Sequence, residues 1–140
     1  MATRSNLLLD TCAVIWMAGD LPLDPEAERQ ISNAFSNNET ITVSAITAWE
    51  LGLLSRRGRL PTAKPPFELF ERFTNRSGVS VAPVTPAMFI DSSFLPGDFH
   101  SDPADRIVVA TARALELTVV TRDSAILDYA QQGYVLALAC

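Results

Sequence analysis

Short apolar runs alternate with longer segments of helical periodicity along the whole chain. The first run, residues 6–9, ends on Asp10 and leads into a helical pattern that stops at Gly19. Later runs that are β-branched, alternating or apolar indicate further strands. The predicted strands are 6–9, 40–43, 79–84, 118–121 and 134–138. Helical segments between successive strands favour an α/β fold with a central, mostly parallel five-stranded sheet and helices on both faces.

The predicted helices begin at recognisable capping residues. Asp24-Pro25, Thr85-Pro86 and Asp102-Pro103 each place a polar cap before a proline. Proline is tolerated there because the first N–H groups of a helix have no partner inside it. Ser44 is predicted to cap a further helix, whose expected core residues are Trp49, Leu51, Leu53 and Leu54.

Length and composition indicate one folded domain. The chain has 140 residues, of which 48% are hydrophobic and 19% charged. No apolar run approaches the ~20 residues of a membrane-spanning helix, and the early apolar stretch is too short for a secretion signal. We therefore expect a single domain over residues 1–140, in the cytoplasm and without a membrane partner. Cys12 and Cys140 form no disulfide or zinc pattern and are expected to be free thiols.

The net charge of −5 is not that of a general nucleic-acid binder, whose domain is usually basic. It leaves room for local basic patches, and Arg56, Arg57 and Arg59 form one in the sequence. Acidic residues gathered in one site would also make the total charge negative.

Acidic residues do fall at corresponding places of the predicted fold. Asp10 ends the first strand and Asp123 follows the fourth, while Glu50 and Asp105 lie on helices next to the second and fourth strands. The carboxyl ends of parallel strands form one edge of the sheet, where α/β proteins bind ligands. Carboxylates without basic partners repel each other, and their oxygens suit Mg²⁺ or Mn²⁺. Such a site, with no His, Cys or Ser nucleophile, suits metal-assisted attack by water at phosphorus.

The same acids also have structural interpretations. Asp10 and Asp123 stand where helix N-caps are expected, and Asp102 with Asp105 resembles a cap followed by a favourable first-turn acid. Glu50 has small neighbours and would then be solvated. These local patterns leave the capping and the metal-site interpretations open.

Four segments, taken together, resemble the PIN domain, in particular the VapC-type toxins of bacterial toxin–antitoxin systems. They are LLLDTCAVIW, SAITAWELGLLSRRGRL, HSDPADRIVVATARA and VVTRDSAILDY. The resemblance implies a PIN-like three-layer α/β/α sandwich and an endoribonuclease that depends on Mg²⁺, with Mn²⁺ as an alternative ion. By that likeness the family's acidic quartet, its catalytic residues and metal ligands, is Asp10, Glu50, Asp105 and Asp123.

Other side chains are expected to support the quartet. Thr11 and Thr121 are candidates to hydrogen-bond the ligating carboxylates, and Asp102 is the capping neighbour of Asp105. Arg106 and Arg122, with the arginines at 56–59, are candidates to contact a phosphodiester. The alternative for each arginine is a paired or solvated surface residue.

The resemblance also implies an RNA substrate, a cognate antitoxin and a homodimer. Exposed aromatic residues that would serve such protein contacts are expected around Trp16, Phe67, Phe70 and Phe73.

Three alternative functions can be stated. A phosphatase of the haloacid dehalogenase type would need a second Asp two residues after Asp10, where Cys12 stands, and a receiver domain would need adjacent acids and a late lysine, whereas Lys64 is the only lysine. A non-catalytic PIN-fold module that binds an antitoxin or another protein is the alternative from a different class. RNA cleavage that vanishes in EDTA would distinguish that module from the nuclease.

Overall fold

The structure, a computed structural model, describes residues 3–140 and contains a five-stranded sheet. The strands are β1 (Thr3–Leu9), β2 (Glu39–Ser44), β3 (Val79–Ala82), β4 (Thr118–Thr121) and β5 (Leu136–Ala139). Their spatial order is β3-β2-β1-β4-β5, and every neighbouring pair is parallel. The predicted α/β class and parallel sheet are confirmed.

Seven helices accompany the sheet within residues 3–140. They are α1 (Thr11–Ala18), α2 (Pro25–Ser36), α3 (Ile46–Arg56), α4 (Pro66–Thr74), α5 (Pro86–Ser92), α6 (Pro103–Leu115) and α7 (Ser124–Gln131). In this described part of the chain, none of them has the length and apolar character that crossing a membrane requires.

Strand β1 shows how the sheet separates two hydrophobic cores. Leu7 and Leu9 pack in the core that contains residues of α1 and α2, whereas Leu8 packs in the core that contains residues of α6 and α7. Successive side chains of a strand point to opposite faces, so an unbroken apolar run is required where both faces are covered. The three-layer α/β/α sandwich is therefore confirmed.

Several strand ends differ by one or two residues from the predicted ones, including the end of β3, which lies at Ala82 rather than at residue 84. The starts of β1 and β5 differ for packing reasons. Strand β1 starts at Thr3 rather than residue 6 because Thr3 pairs with Glu39 at the start of β2. Strand β5 starts at Leu136 rather than residue 134 because Tyr134 stacks on Tyr129, with ring centroids 4.9 Å apart. A Cβ at Gly97 would lie 2.6 Å from the Tyr134 ring, so this contact requires a glycine.

Two predictions of burial were wrong. Trp49 was expected in the core and is 47% exposed, because α3 turns Leu51 inward and residues two apart on a helix lie nearly half a turn apart. Phe73 was expected among exposed aromatics and is only 2% exposed, because α4 buries it together with Leu69. Phe67, at the start of the same helix, is exposed as expected.

The topology places a crevice at the carboxyl end of β1. From β1 the chain moves outward to β2 and β3, then returns to build β4 and β5 on the other side of β1. The strand order thus reverses between β1 and β4, and such switch points are the usual ligand sites of open α/β sheets. Asp10 follows β1 there, and its backbone N–H donates to the carbonyl of Val120 at 3.0 Å.

Candidate active site

Asp10 is a buried carboxylate at the switch point, and both of its oxygens are engaged. Oδ1 accepts the backbone N–H of Thr11 at 2.8 Å, which caps α1. Oδ2 accepts the hydroxyl of Thr121, at the end of β4, at 2.7 Å. The side chain therefore serves as a helix cap and links β1 to β4 at the same time.

Glu50 is linked to Asp10 through Thr11, whose hydroxyl contacts Glu50 and whose backbone N–H contacts Asp10. The Thr11 hydroxyl donates to Glu50 Oε1 at 2.6 Å and lies 3.1 Å from the hydroxyl of Thr47. Because the proton of Thr11 goes to the carboxylate, Thr47 is the donor between the two hydroxyls. Thr47 is fully buried and sits one helical turn before Glu50 on α3, yet the sequence pattern did not single it out.

Asp123 caps α7 with one oxygen, and the other accepts no hydrogen bond from residues 3–140. Its Oδ1 accepts the backbone N–H groups of Ala125 at 2.8 Å and Ile126 at 3.1 Å. Its own backbone N–H donates to the hydroxyl of Thr121 at 3.0 Å. Thr121 therefore lies between Asp10 and Asp123, since the same hydroxyl donates to one and accepts from the other.

Asp105 lies in the first turn of α6 and is not the residue that caps it. The cap is Asp102, whose Oδ1 accepts the backbone N–H of Asp105 at 3.0 Å. The carboxylate of Asp105 therefore does not cap the helix and extends into the cleft, where the charges of Asp10 and Asp123 repel it.

His100 is a member of this site that the sequence pattern did not assign. Ligand atoms of His100, Asp105 and Asp123 all lie within 4.8 Å of one another, and in the described residues no other group of His, Cys, Asp and Glu is gathered this way. Asp10 and Glu50 border that group without belonging to it. Its position in the sequence could have identified it, since His100 begins the segment HSDPADR, which contains both Asp102 and Asp105.

Within the described residues no Lys or Arg lies within ion-pair distance of these carboxylates, and the pKa values of Asp10, Glu50 and Asp105 are raised. Among residues 3–140, His100 with Asp105 and Arg29 with the remote Glu26 are the pairs within ion-pair distance. Burial raises the pKa of Asp10, and it raises the pKa of Glu50 to about 7. Burial, reinforced by the charge of Asp10, raises the pKa of Asp105 to about 8. A divalent cation would relieve this repulsion, so the oxygen donors fit Mg²⁺ or Mn²⁺.

Arg106 braces the loop before α6. Its guanidinium donates to the carbonyls of Ser92 at 2.7 Å, Phe99 at 2.9 Å and His100 at 3.1 Å. Arg106 therefore stabilises the conformation of the loop that carries His100.

Arg122 braces the α1–α2 loop, which it contacts at Pro22. Its guanidinium lies 4.0 Å from the centroid of Trp16 and donates to the carbonyls of Cys140 at 3.0 Å and Pro22 at 3.4 Å. The arginines at 56, 57 and 59 are exposed, and among the arginines named from the sequence they are the ones whose side chains make no hydrogen bond within the described residues.

The two cysteines lie beside the site as free thiols. The thiol of Cys12 is 3.8 Å from both Asp10 Oδ2 and the hydroxyl of Thr121, and it accepts the backbone N–H of Arg122 at 3.3 Å. Cys12 thus fills the space between α1 and the end of β4.

Known proteins share this fold and part of this sequence. Ribonuclease VapC22 of Mycobacterium tuberculosis is 27% identical over 119 residues, covering 85% of this chain and 88% of the relative. The crystal structure of VapBC2 from Rickettsia felis bound to a promoter DNA fragment is similar with a TM-score of 0.67 and 15% identity, covering 95% of this chain and 97% of that one. A DNA-bound VapBC from Salmonella typhimurium has a TM-score of 0.67 and 18% identity, covering 99% and 98%.

The family itself is decided by a sequence match that includes the cleft. The family model described as the PIN domain matches residues 7–132, from within β1 to just past α7. That range contains every carboxylate described above and the strands on both sides of the switch point. The chain therefore belongs to the PIN domain family.

Proposed function

We propose that this chain is a metal-dependent endoribonuclease and the toxin of a toxin–antitoxin module. The observation that carries the proposal is the set of uncompensated carboxylates at the switch point of a PIN fold. The similarity to a protein named Ribonuclease VapC22 supports RNA as the substrate, and the similarity to VapBC structures and to a toxin–antitoxin complex supports an antitoxin partner.

The proposed metal ligands are Asp10, Glu50, Asp105 and Asp123, with Mg²⁺ or Mn²⁺ as the ion. Bound there, the ion would supply an acidified water and charge neutralisation at the phosphate. Oε1 of Glu50 is held by Thr11, which leaves Oε2 to accept a proton from water.

The exposed arginines at 56, 57 and 59 are the proposed contacts for the RNA backbone, in place of the braced Arg106 and Arg122. Exposed guanidinium groups can pair with phosphate without first losing other partners. Hydrolysis that does not use the 2′-hydroxyl would leave a 5′-phosphate and a 3′-hydroxyl, so RNA with a single 2′-deoxy sugar at the cut should still be cleaved.

The test is cleavage of RNA by the purified chain with Mg²⁺ or Mn²⁺, with and without EDTA. Asp10→Asn and Asp105→Asn are suitable changes because Asn has nearly the same shape, keeps one acceptor oxygen and loses the charge. We expect the double variant and EDTA each to abolish cleavage. Asp24→Asn is the matched control, because Asp24 caps α2 outside the cleft. This variant should cleave RNA at the parental rate.

Cleavage by the double variant at the parental rate would overturn the assignment of these carboxylates. A parent that binds an antitoxin firmly but cuts no RNA with either ion would favour the non-catalytic binding module. Sequencing RNA ends produced in cells after induction would identify the substrate.

We also propose that the chain forms a homodimer and a complex with its antitoxin. Large apolar side chains exposed on several helices support protein contacts. They are Trp49, Phe67, Phe89, Ile90 and, just after α5, Phe94. Light scattering at micromolar concentration tests the dimer, and a strictly monomeric chain would contradict it.

A further inference from the structure

His100 is the only histidine of the chain and stands in direct contact with the cleft. Its Nε2 lies 3.3 Å from Asp105 Oδ2. Two roles are compatible with that distance alone. The ring could bind the cation beside Asp105 and Asp123, or it could donate a hydrogen bond to Asp105 and leave the cation to the carboxylates.

The other ring nitrogen distinguishes these roles. The backbone N–H of Asp102 donates to Nδ1 of His100 at 3.2 Å. A nitrogen that accepts a hydrogen bond carries no proton, so the neutral ring carries its proton on Nε2, facing Asp105. A histidine that binds a metal through Nε2 has the opposite arrangement, in which Nδ1–H donates to an acceptor. Turning the ring by half a rotation would place carbon atoms against both partners.

The loop holds the ring in this orientation. Arg106 donates to the backbone carbonyl of His100 at 3.1 Å and to that of Phe99 at 2.9 Å. The Phe99 ring lies 4.4 Å from the His100 ring, centroid to centroid, and 4.9 Å from the ring of the buried Tyr129. Because backbone and ring are both held, Nε2 faces Asp105 before any ligand binds.

We propose that His100 is a positioning residue, whose Nε2–H fixes Oδ2 of Asp105 and leaves Oδ1 of that carboxylate for the cation. The inference rests on the proposed function only in taking Asp105 as a ligand. Within the described residues Asp105 Oδ1 accepts no hydrogen bond, and Asp123 likewise keeps Oδ2 without a donor. The backbone of Asp102 thus sets the tautomer of His100, and His100 sets the orientation of Asp105.

A nitrogen NMR experiment on the full chain reads the tautomer directly. Labelling with [¹⁵N]histidine gives one imidazole, so no assignment is needed. In the metal-free protein we expect the Nε2–H tautomer, and after addition of ¹¹³Cd²⁺ no ¹¹³Cd–¹⁵N coupling. A neutral ring protonated on Nδ1, or a resolved ¹¹³Cd–¹⁵N coupling, would overturn the proposal.

Two variants test the effect on the cation by Mn²⁺ titration calorimetry. His100→Ala removes the donor and should weaken Mn²⁺ binding by about 10–100-fold, the usual effect of losing a partner of a ligand. His100→Gln keeps an amide N–H near the position of Nε2 and should stay within about threefold of the parent. Ser101→Ala, an exposed neighbour, is the control and should bind as the parent does.

These outcomes separate this inference from the proposed nuclease. Equal weakening in His100→Gln and His100→Ala would sink the positioning role, because only a ligand nitrogen loses as much in both. A parent that binds Mn²⁺ with the expected dependence on His100 but cuts no RNA would leave the inference standing and remove the nuclease.

Discussion

The cleft has two halves that stabilise their carboxylates in different ways. In the hydroxyl-bonded half, Asp10 and Glu50 accept short hydrogen bonds from buried threonines, at 2.7 and 2.6 Å. In the open half, Asp123 is held by backbone N–H groups of α7, and Oδ2 of Asp105 lies 3.3 Å from Nε2 of His100. The carboxylates of the first half are fixed by these hydrogen bonds. In the second half, each acid has one oxygen that accepts no hydrogen bond within the described residues.

The difference indicates that one half holds its carboxylates in a fixed orientation and that the other supplies oxygens that can bind a cation. Hydroxyl donors hold a carboxylate in one orientation, and the rigid side chains of threonine suit that purpose. Undonated oxygens at helix N-termini keep their capacity to bind a cation. The open half would therefore supply the free oxygens to a cation at the switch point. The hydroxyl-bonded half would keep its carboxylates in fixed positions beside that cation.

The largest effect is expected from breaking the hydroxyl-bonded half with Thr121→Val. The change keeps the shape of the side chain but removes the hydroxyl that joins Asp10 to Asp123. We expect Mn²⁺ binding to weaken by about 10–100-fold. We also expect a loss of about 1–3 kcal/mol in the free energy of unfolding, because a buried acceptor loses its donor. Calorimetry and urea unfolding measure the two effects.

Thr118→Val is the matched control, because Thr118 lies on the same strand at the end away from the cleft. It should change Mn²⁺ affinity by less than about twofold. Equal effects of the two variants on Mn²⁺ affinity would show that Thr121 has no special part in the cleft.

The capping and site interpretations of the acids, which the sequence left open, turn out to be compatible. Asp10 and Asp123 each use one oxygen on a helix N-terminus and present the other to the cleft. A carboxylate has two oxygens with about four acceptor positions, so one residue can do both. Most strands and caps were predictable because their signals are local, although Ser44 was predicted to cap α3 and instead ends β2, with Ala45 at the N-cap. The positions of the acids could be predicted because parallel strands end at one edge.

His100 and Thr47 could not be predicted in the same way. The path of the loop that carries His100 is set by Arg106, which contacts Ser92, Phe99 and His100 together. No periodic pattern reports such contacts between a helix and a distant loop. Thr47 belongs neither to the capping pattern nor to the apolar pattern of α3. Its hydroxyl has a partner only because α1 packs close to α3 in the folded chain.

The metal-free protein should lose stability as pH rises from about 4 to about 8. Glu50 and Asp105 have folded-state pKa values of about 7 and about 8, above the ordinary values of 4.5 and 3.8. The folded state therefore binds more protons than the unfolded state in that window, so raising the pH favours unfolding. We expect a loss on the order of 2 kcal/mol after solvent screening, measured by urea unfolding in EDTA.

Saturating Mg²⁺ should remove most of that pH dependence at the upper end of the window, because the ion binds the deprotonated carboxylates and stabilises the folded state by mass action. A metal-free protein whose stability is flat or rises between pH 5 and 8 would contradict the electrostatic account of the cleft.

Neutralising the open half with Asp105→Asn should have a smaller effect of opposite sign. The cap of α6 is Asp102, so the change leaves that helix intact. Removal of one charge relieves repulsion with Asp10 and Asp123, and the metal-free variant should gain about 1–2 kcal/mol at pH 8. Mg²⁺ should raise the melting temperature of the parent and do much less for the variant.

Four melting curves decide this point, with parent and variant each in EDTA and in Mg²⁺. Asp24→Asn is the control, since Asn caps well and Asp24 caps α2 outside the cleft, so its melting temperature and its response to Mg²⁺ should match the parent. A variant Asp105→Asn that melts below the parent in EDTA, with no effect of Mg²⁺ on either, would refute the metal site at Asp105.

The smallest effect is expected at Arg122, which neighbours the hydroxyl-bonded half without touching its carboxylates. Its guanidinium stacks on Trp16 and donates to the carbonyls of Cys140 and Pro22. Arg122→Gln should cost about 1 kcal/mol in the free energy of unfolding, since an exposed cation–π contact and hydrogen bonds of this kind contribute about that much. Mn²⁺ affinity should stay within about twofold, because no cleft oxygen loses a donor. If Arg122 instead binds the RNA phosphates, the variant will keep its stability and lose RNA affinity with a shallower dependence on salt.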